Sequence, residues 1–301
     1  LLKKGFFKGW LSSNENSINC ADINSGFLLP VTYNNKVYTN SIGGYSNLSK
    51  KVVEFDLFNN KYTTYEIHTG IFSVAATNNY IFTSNSPAHG SIITKYNINK
   101  ESVEGTLEVP GLVQHINIIK NLLYAFSDSD DRDGSIIISV INPNTLKIEK
   151  SIHMKSDISI FYSINVDNFI FFTHMMAGDD KTPSKILSRM NINDGTITNI
   201  QLSEDYPNQI IKYKDSLLIT HYNAQTNTGN KLTILNLITN KQKIVSFNHT
   251  LKQIEVNNDK LYACDDTNMY IYDLGNYQLL DKFEIKADRK NYRITGFFFT
   301  K

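Results

Sequence analysis

The sequence predicts an all-β protein of repeated four-stranded antiparallel sheets, and three observations carry that prediction. Short runs rich in aromatic and β-branched residues recur along the chain, as half-buried pleated surfaces require. One such run ends in the same way six times, with Asp or Asn followed by a turn. No stretch sustains the 3.6-residue period of an amphipathic helix.

The recurring element is plainest at 269–285. An apolar strand ends in Tyr272, Asp273 and Leu274 follow, Gly275 and Asn276 make a turn, and a second apolar run begins. Aligned copies end at Phe55, Tyr96, Ile141, Met190, Leu235 and Tyr272, spaced 37 to 49 residues apart. The next residue is Asp56, Asn97, Asn142, Asn191, Asn236 or Asp273. An Asp or Asn side chain can accept a hydrogen bond from backbone two residues on, which starts a turn and explains the restriction to those two types.

Two more strands precede each copy. The second strands open after polar turns, as at Asn79-Tyr80-Ile81-Phe82 and Asp259-Lys260-Leu261-Tyr262. The unit is therefore a four-stranded meander of about 43 residues, the length of a propeller repeat. A sheet with two apolar faces cannot stand alone, and radial stacking buries both. A β-propeller is predicted, with complete blades over 26–68, 71–110, 112–154, 158–203, 208–248 and 250–286. Residues 292–300 read as one more first strand. With 1–24 as its outer strands they make a last blade that closes the ring by pairing the N- and C-terminal strands. Seven blades are expected, six being the alternative, in a single domain spanning 1–301.

The pattern resembles the seven-bladed propellers of the YVTN-like and quinoprotein-like class. The Trp-Asp dipeptide of WD repeats is missing, and the paired glycines of kelch repeats occur once, at Gly43-Gly44. The resemblance implies a class that contains lactonases, lyases, dehydrogenases and binding proteins, so the fold leaves the activity open.

Composition narrows the partners. The 30 Lys and Arg balance 29 Asp and Glu without a basic stripe, which argues against nucleic acid. The longest apolar runs, such as Phe169–Phe172, are far too short to span a bilayer, so the chain is not expected to be transmembrane. Cys20 and Cys264 read as two reduced bystanders. The chain opens without Met and without a signal h-region. A mature extracytoplasmic protein, secreted or lipid-anchored, is the expectation, with the cytoplasm as alternative and a monomer as the assembly.

Loops joining second to third strands are the long and varied ones, and they share one end of the blades, the loop face. Binding evolves on such loops. The residues closing the second strands are Asn40, Ser84, Ser127, His174, His221 and Asp265. His174, His221 and Asp265 fall in consecutive blades. Two imidazoles and a carboxylate can hold a divalent metal or act as acid and base. Gln114, His115, Gln209 and Gln253 begin first strands nearby, and Tyr222 adds an aromatic contact. These eight residues are the candidate ligand site. The acidic loop at 128–134 matches only half of an EF-hand, with Val140 where the closing Glu belongs, and reads as a solvated hairpin loop. There is no Walker loop, dinucleotide fingerprint, nucleophile elbow or Cys-x-x-Cys pair. The expected function is a non-catalytic binding module for a protein, peptide or glycan, without a cofactor. The alternative is a lactonase- or lyase-type enzyme using His174, His221 and Asp265, with a divalent metal.

Overall fold

The structure, a computed structural model, describes residues 5–8, 17–20, 30–42, 48–56, 58–59, 61–67, 70–85, 90–131, 134–179, 181–284 and 297, with backbone only for 5–8, 17–20, 41–42 and 48. Six four-stranded antiparallel sheets follow one another, each with its strands in chain order. Blade one comprises Val31–Tyr33, Lys36–Ile42, Leu48–Asp56 and Lys61–Glu66. Blade two comprises Ser73–Ala76, Tyr80–Asn85, Ser91–Asn97 and Ser102–Val109. Blade three comprises Leu112–Ile119, Leu122–Asp128, Ser135–Asn142 and Lys147–Lys155. Blade four comprises Ile158–Val166, Phe169–Met176, Ile186–Asn191 and Ile197–Gln201. Blade five comprises Pro207–Tyr213, Ser216–Asn223, Thr228–Asn236 and Gln242–Ser246. Blade six comprises Gln253–Asn257, Lys260–Cys264, Asn268–Asp273 and Leu279–Glu284.

The blades are those of an all-β propeller, six in number among the described residues rather than the expected seven. Of the expected last blade, the 1–24 part holds a two-stranded antiparallel hairpin, Gly5–Lys8 with Ser17–Cys20. That hairpin is two strands short of a blade, and the strand expected at 292–300 lies outside the described residues apart from the buried Phe297. Closure of a ring by the chain ends lies outside them too. No helix among the described residues is long and apolar enough to cross a membrane. Cys264 is a buried free thiol, and burial pushes its pKa up to about 12.

The chain divides into two compact units. One is Leu1–Asp130 with Ile137–Ser151 and Asn291–Lys301; the other is Asp131–Ile136 with Ile152–Lys290. The first holds blades one and two and most of blade three. The second holds blades four, five and six.

Within each unit, a hydrophobic cluster fills the space between consecutive blades. In the first unit Tyr38, Val52, Val74 and Ile81 fill one and Phe82, Ile93, Ile116 and Leu123 the next. In the second unit Phe171, Leu187, Leu217 and Ile219 join blade four to five, and Leu218, Leu232, Leu261 and Tyr270 join five to six. Leu217 and Ile219 face one way and Leu218 the other, the period of two that makes a strand serve both faces of its sheet.

All six predicted Asx turns form. Asp56 Oδ1 accepts the backbone N–H of Phe58 at 2.9 Å and of Asn59 at 3.0 Å. Asn97, Asn142, Asn236 and Asp273 each accept two N–H groups from the residues two and three positions on. Asn191 accepts one, from Asn193 at 3.0 Å. These bonds also hold Asp56 below the usual carboxylate pKa.

Polar side chains stitch neighbouring blades. Ser73 Oγ accepts the N–H of Ile116 at 3.1 Å in the first unit. Gln209 does most in the second: its amide donates to the carbonyl of Ile254 at 3.0 Å and accepts the Ile254 N–H at 2.8 Å. One side chain thus satisfies both backbone groups of a first-strand residue, as a fifth strand would.

Candidate functional site

His174 and His221 lie on the second strands of blades four and five, short of the strand ends at Met176 and Asn223, and each is turned into protein. His174 is fully buried and His221 4% exposed. The reason is strand parity. His174 shares a face with Ile170 and Phe172, and His221 with Leu217 and Ile219, all buried. Each imidazole then finds a hydroxyl on the third strand of its own blade. His174 Nε2 lies 2.7 Å from Ser188 Oγ, and His221 Nε2 lies 2.7 Å from Thr233 Oγ1.

The partners fix the tautomer of His221. His221 Nδ1 lies 2.8 Å from the Asp205 carbonyl, which only accepts, so Nδ1 carries the proton and Nε2 accepts from Thr233. His174 Nε2 and Ser188 Oγ share a hydrogen bond, and Ser188 Oγ donates to Asn199 Oδ1 at 2.8 Å. Nδ1 of His174 makes no hydrogen bond of normal geometry. The Asp157 backbone lies near enough to offset part of the burial penalty, but burial still pushes the His174 pKa down to about 3. Burial lowers that of His221 as well, against a smaller upward pull from Asp205.

Asp265 faces a different task. Its Oδ1 accepts the N–H groups of Thr267 at 2.8 Å and Asn268 at 2.7 Å, closing the loop into its third strand. Its Oδ2 accepts the Tyr270 hydroxyl at 2.7 Å. Burial opposes its ionisation, but these bonds together leave its pKa lowered. Tyr270 in turn stacks on His249 with centroids 3.5 Å apart. His174, His221 and Asp265 are thus each engaged with separate partners. Among the described residues no three His, Cys, Asp or Glu side chains are grouped so as to hold a metal ion.

Tyr222 lies beside a polar network on the loop face of the second unit. Its hydroxyl donates to Asn227 Oδ1 at 2.5 Å, and Asn227 Nδ2 donates to Asp266 Oδ2 at 2.6 Å. Lys252 Nζ binds the other Asp266 oxygen at 2.9 Å. The network joins the loops of blades five and six and keeps Asn227, Asp266 and Lys252 half-buried.

The first strands gather the other candidates. Registered against the second strands, His115 pairs with Phe126, Tyr162 with Thr173 and Gln253 with Cys264, one equivalent position in three blades. Gln209 takes that position in blade five, its N–H bonded to Thr220 Oγ1 at 3.1 Å. Gln114 sits at the bulge before His115. His115 keeps some surface uncovered and stacks on Phe126, yet surrounding protein pushes its pKa down to about 4.

Two first-strand residues escaped the sequence reading, Tyr162 and Glu255. Glu255 pairs with Tyr262. The equivalent residues are Thr32, Ala76, Asn117, Ile164 and Ile211, none of them acidic. Aligning first strands by their register would have singled Glu255 out. Tyr162 and Glu255 are both half-buried. Burial pushes the Glu255 carboxyl up to about 7 and raises the Tyr162 phenol, which also feels Glu255 and a hydrogen bond from Gln209.

The comparisons with known proteins speak to fold. No family model matches the chain, and no curated protein matches it in sequence. A chain of a mitotic checkpoint complex is similar over 91% of this chain and 81% of its own length, at 9% identity and a TM-score of 0.66. Hydrazine synthase of Kuenenia stuttgartiensis is similar over 90% and 80%, at 13% identity and a TM-score of 0.64. The Pan2 WD40 domain of Neurospora crassa is similar over 78% and 71%, at 10% identity and a TM-score of 0.55. Identities this low carry the architecture and nothing of the chemistry.

Proposed function

We propose that the chain is a non-catalytic binding module that takes a protein partner on its loop face. The observation that carries this reading is the network from Tyr222 through Asn227 and Asp266 to Lys252, which fixes two loops of different blades in one polar surface. Rigid, partly exposed polar loops on a sheet scaffold suit recognition. The similarity to a WD40 domain and to a chain of a multiprotein complex agrees with an interaction scaffold. Catalysis by His174 and His221 asks more: each imidazole must first give up hydrogen bonds inside its own blade, at about 1–3 kcal/mol for each buried group left unpaired. Peptide and glycan ligands would use the same face.

Cross-linking mass spectrometry on the full chain tests the proposal. Partners cross-linked to the wild type should be lost when Asn227 and Asp266 are both replaced by Ala. An unchanged partner set in that variant would sink the assignment of this face. Metal analysis addresses the enzyme alternative: stoichiometric divalent metal, lost in a His174→Gln, His221→Gln double variant, would replace the binding reading.

A further inference from the structure

A half-buried histidine sits beside the loop network. His249 lies in the link between blades five and six, and both of its ring nitrogens are engaged. Nδ1 lies 2.9 Å from the Thr250 carbonyl, which only accepts, so Nδ1 carries the proton of the neutral ring. Nε2 therefore accepts the Tyr272 hydroxyl at 2.6 Å. The ring also lies flat on Tyr270, with 1° between the planes. Tyr270 and Tyr272 are two residues apart on one strand and so share a face, and the imidazole ties the two together.

From this ring a chain of contacts runs to the loop network. Tyr270 donates to Asp265 Oδ2 at 2.7 Å, and Asp265 Oδ1 closes the blade-six loop through the N–H groups of Thr267 and Asn268. The next residue after Asp265 is Asp266, which holds Asn227 and Lys252. The arrangement requires a neutral ring. A proton added at Nε2 would oppose the Tyr272 O–H, and among the described residues that hydroxyl has no other hydrogen-bond partner. We infer that His249 is a pH-sensitive clasp: neutral, it holds the blade-six loop ordered, and protonated, it releases that loop, so that binding at the loop face weakens in acid. The effect on binding rests on the loop face being the binding surface; the clasp itself does not.

The groups around the ring set the direction. Asp265 favours the imidazolium, and Lys282, whose Nζ lies 5.3 Å from the Tyr270 ring centre, opposes it. Tyr270 and Tyr272 are the titratable groups in contact with the ring. Leu218 and Leu232 of blade five share their hydrophobic cluster without charge, and Tyr213 and Tyr277 pack against it as further phenols. Burial outweighs Asp265 and holds the His249 pKa below its ordinary value of 6.5. A released His249 takes up its proton at that ordinary value, and a clasped one only at lower pH. The clasp is therefore at full strength above about pH 6.5 and weakens as pH falls, by up to about tenfold at one unit below, as a single proton requires. Asp265 stays ionised through this range, because its hydrogen bonds leave its pKa lowered.

Amide exchange of the full chain, followed by NMR at pH 7.5 and pH 5.5 and expressed as protection relative to an unstructured chain, tests the clasp. Thr267 and Asn268 should lose up to about tenfold of their protection at the lower pH. Ile238 and Thr239, held by the non-titrating Asn236, should keep theirs. His249→Phe keeps a flat ring on Tyr270 without a titrating nitrogen, and its loop amides should be equally protected at both pH values. Tyr272→Phe removes the hydroxyl that opposes the added proton and should shrink the loss; thermal melting checks that both variants fold. Unchanged protection of Thr267 and Asn268 in the wild type, or the wild-type loss retained in either variant, would overturn the proposal. Cross-linking at both pH values separates the clasp from the binding face. Partners that weaken at pH 5.5 in the wild type but not in His249→Phe support both. Partners retained at pH 5.5 while the loop amides respond leave the clasp standing and count against the loop face.

Discussion

At one end of the sheets, six Asp or Asn side chains close six turns, five of them with the same pair of hydrogen bonds. Toward the other end the aligned second-strand positions hold Asn40, Ser84, Ser127, His174, His221 and Asp265, and the partners differ from blade to blade. Asn40 donates to the carbonyls of Ile71 and Phe72. His221 bridges a carbonyl and a threonine, and Asp265 caps its own loop. The same strands thus carry a uniform end and an individual one. Uniformity follows from a local need that every turn shares. Individuality follows from tertiary contacts, which each blade meets differently.

If that contrast is real, substitutions at the individual end should cost more. The largest effect is expected at Gly229, with φ of +133° and a would-be Cβ only 2.0 Å from the His221 carbonyl oxygen. Gly229→Ala should destabilise by more than about 4 kcal/mol in urea melts. Gly275→Ala at the uniform end, where the nearest atom is the Asp273 side-chain oxygen at 3.1 Å, should cost less than about 1 kcal/mol. Equal costs would erase the distinction. Next come the imidazoles. His221→Ala removes two hydrogen bonds and leaves the Asp205 carbonyl and Thr233 hydroxyl unmatched, for about 3 kcal/mol. His174→Ala removes one and should cost less, about 2 kcal/mol.

Acid should attack the same end first. The folded pKa of His174 lies near 3, below the ordinary value of 6.5. Unfolded chains therefore bind the proton more readily. Stability is full above about pH 6.5 and declines as pH falls toward 3. His174→Gln should flatten the slope of melting temperature against pH between 6 and 4; an unchanged slope would assign acid sensitivity elsewhere. The smallest effects belong to the turns. Asn236→Ala loses two turn bonds and should cost about 1 kcal/mol, and Asn191→Ala, with one, about half of that. The ordering matters more than the values, and chemical denaturation of the pair measures it.

The uniform end was legible because an Asx turn is a local device whose chemistry is written in three or four consecutive residues. The six blades followed from it. The seventh did not: the described residues of 1–24 make two paired strands, Gly5–Lys8 and Ser17–Cys20, and strand-like composition does not say how strands will group into a sheet. The individual end was half legible. Lining up the strand ends found His174, His221 and Asp265 as equivalent positions. Equivalence was then read as convergence, whereas parity with Phe172 and Ile219 turns the two imidazoles sideways into their blades. Glu255 was readable from the same alternation, once the first strands were registered on the second. The network of Tyr222, Asn227, Asp266 and Lys252 was not readable, because it depends on two loops meeting.

Gln209 has a consequence beyond the contact it makes. The first strand of blade six pairs on one side only, so its other side is an open β edge, the kind of surface that recruits stray strands into aggregates. By occupying the Ile254 N–H and carbonyl together, Gln209 blocks templating at the centre of that edge. Most proteins protect edges with charge, proline or a bulge; here a neutral amide from the adjacent blade does so. That cover is in place only when blades five and six lie side by side, since the amide comes from one and the edge from the other.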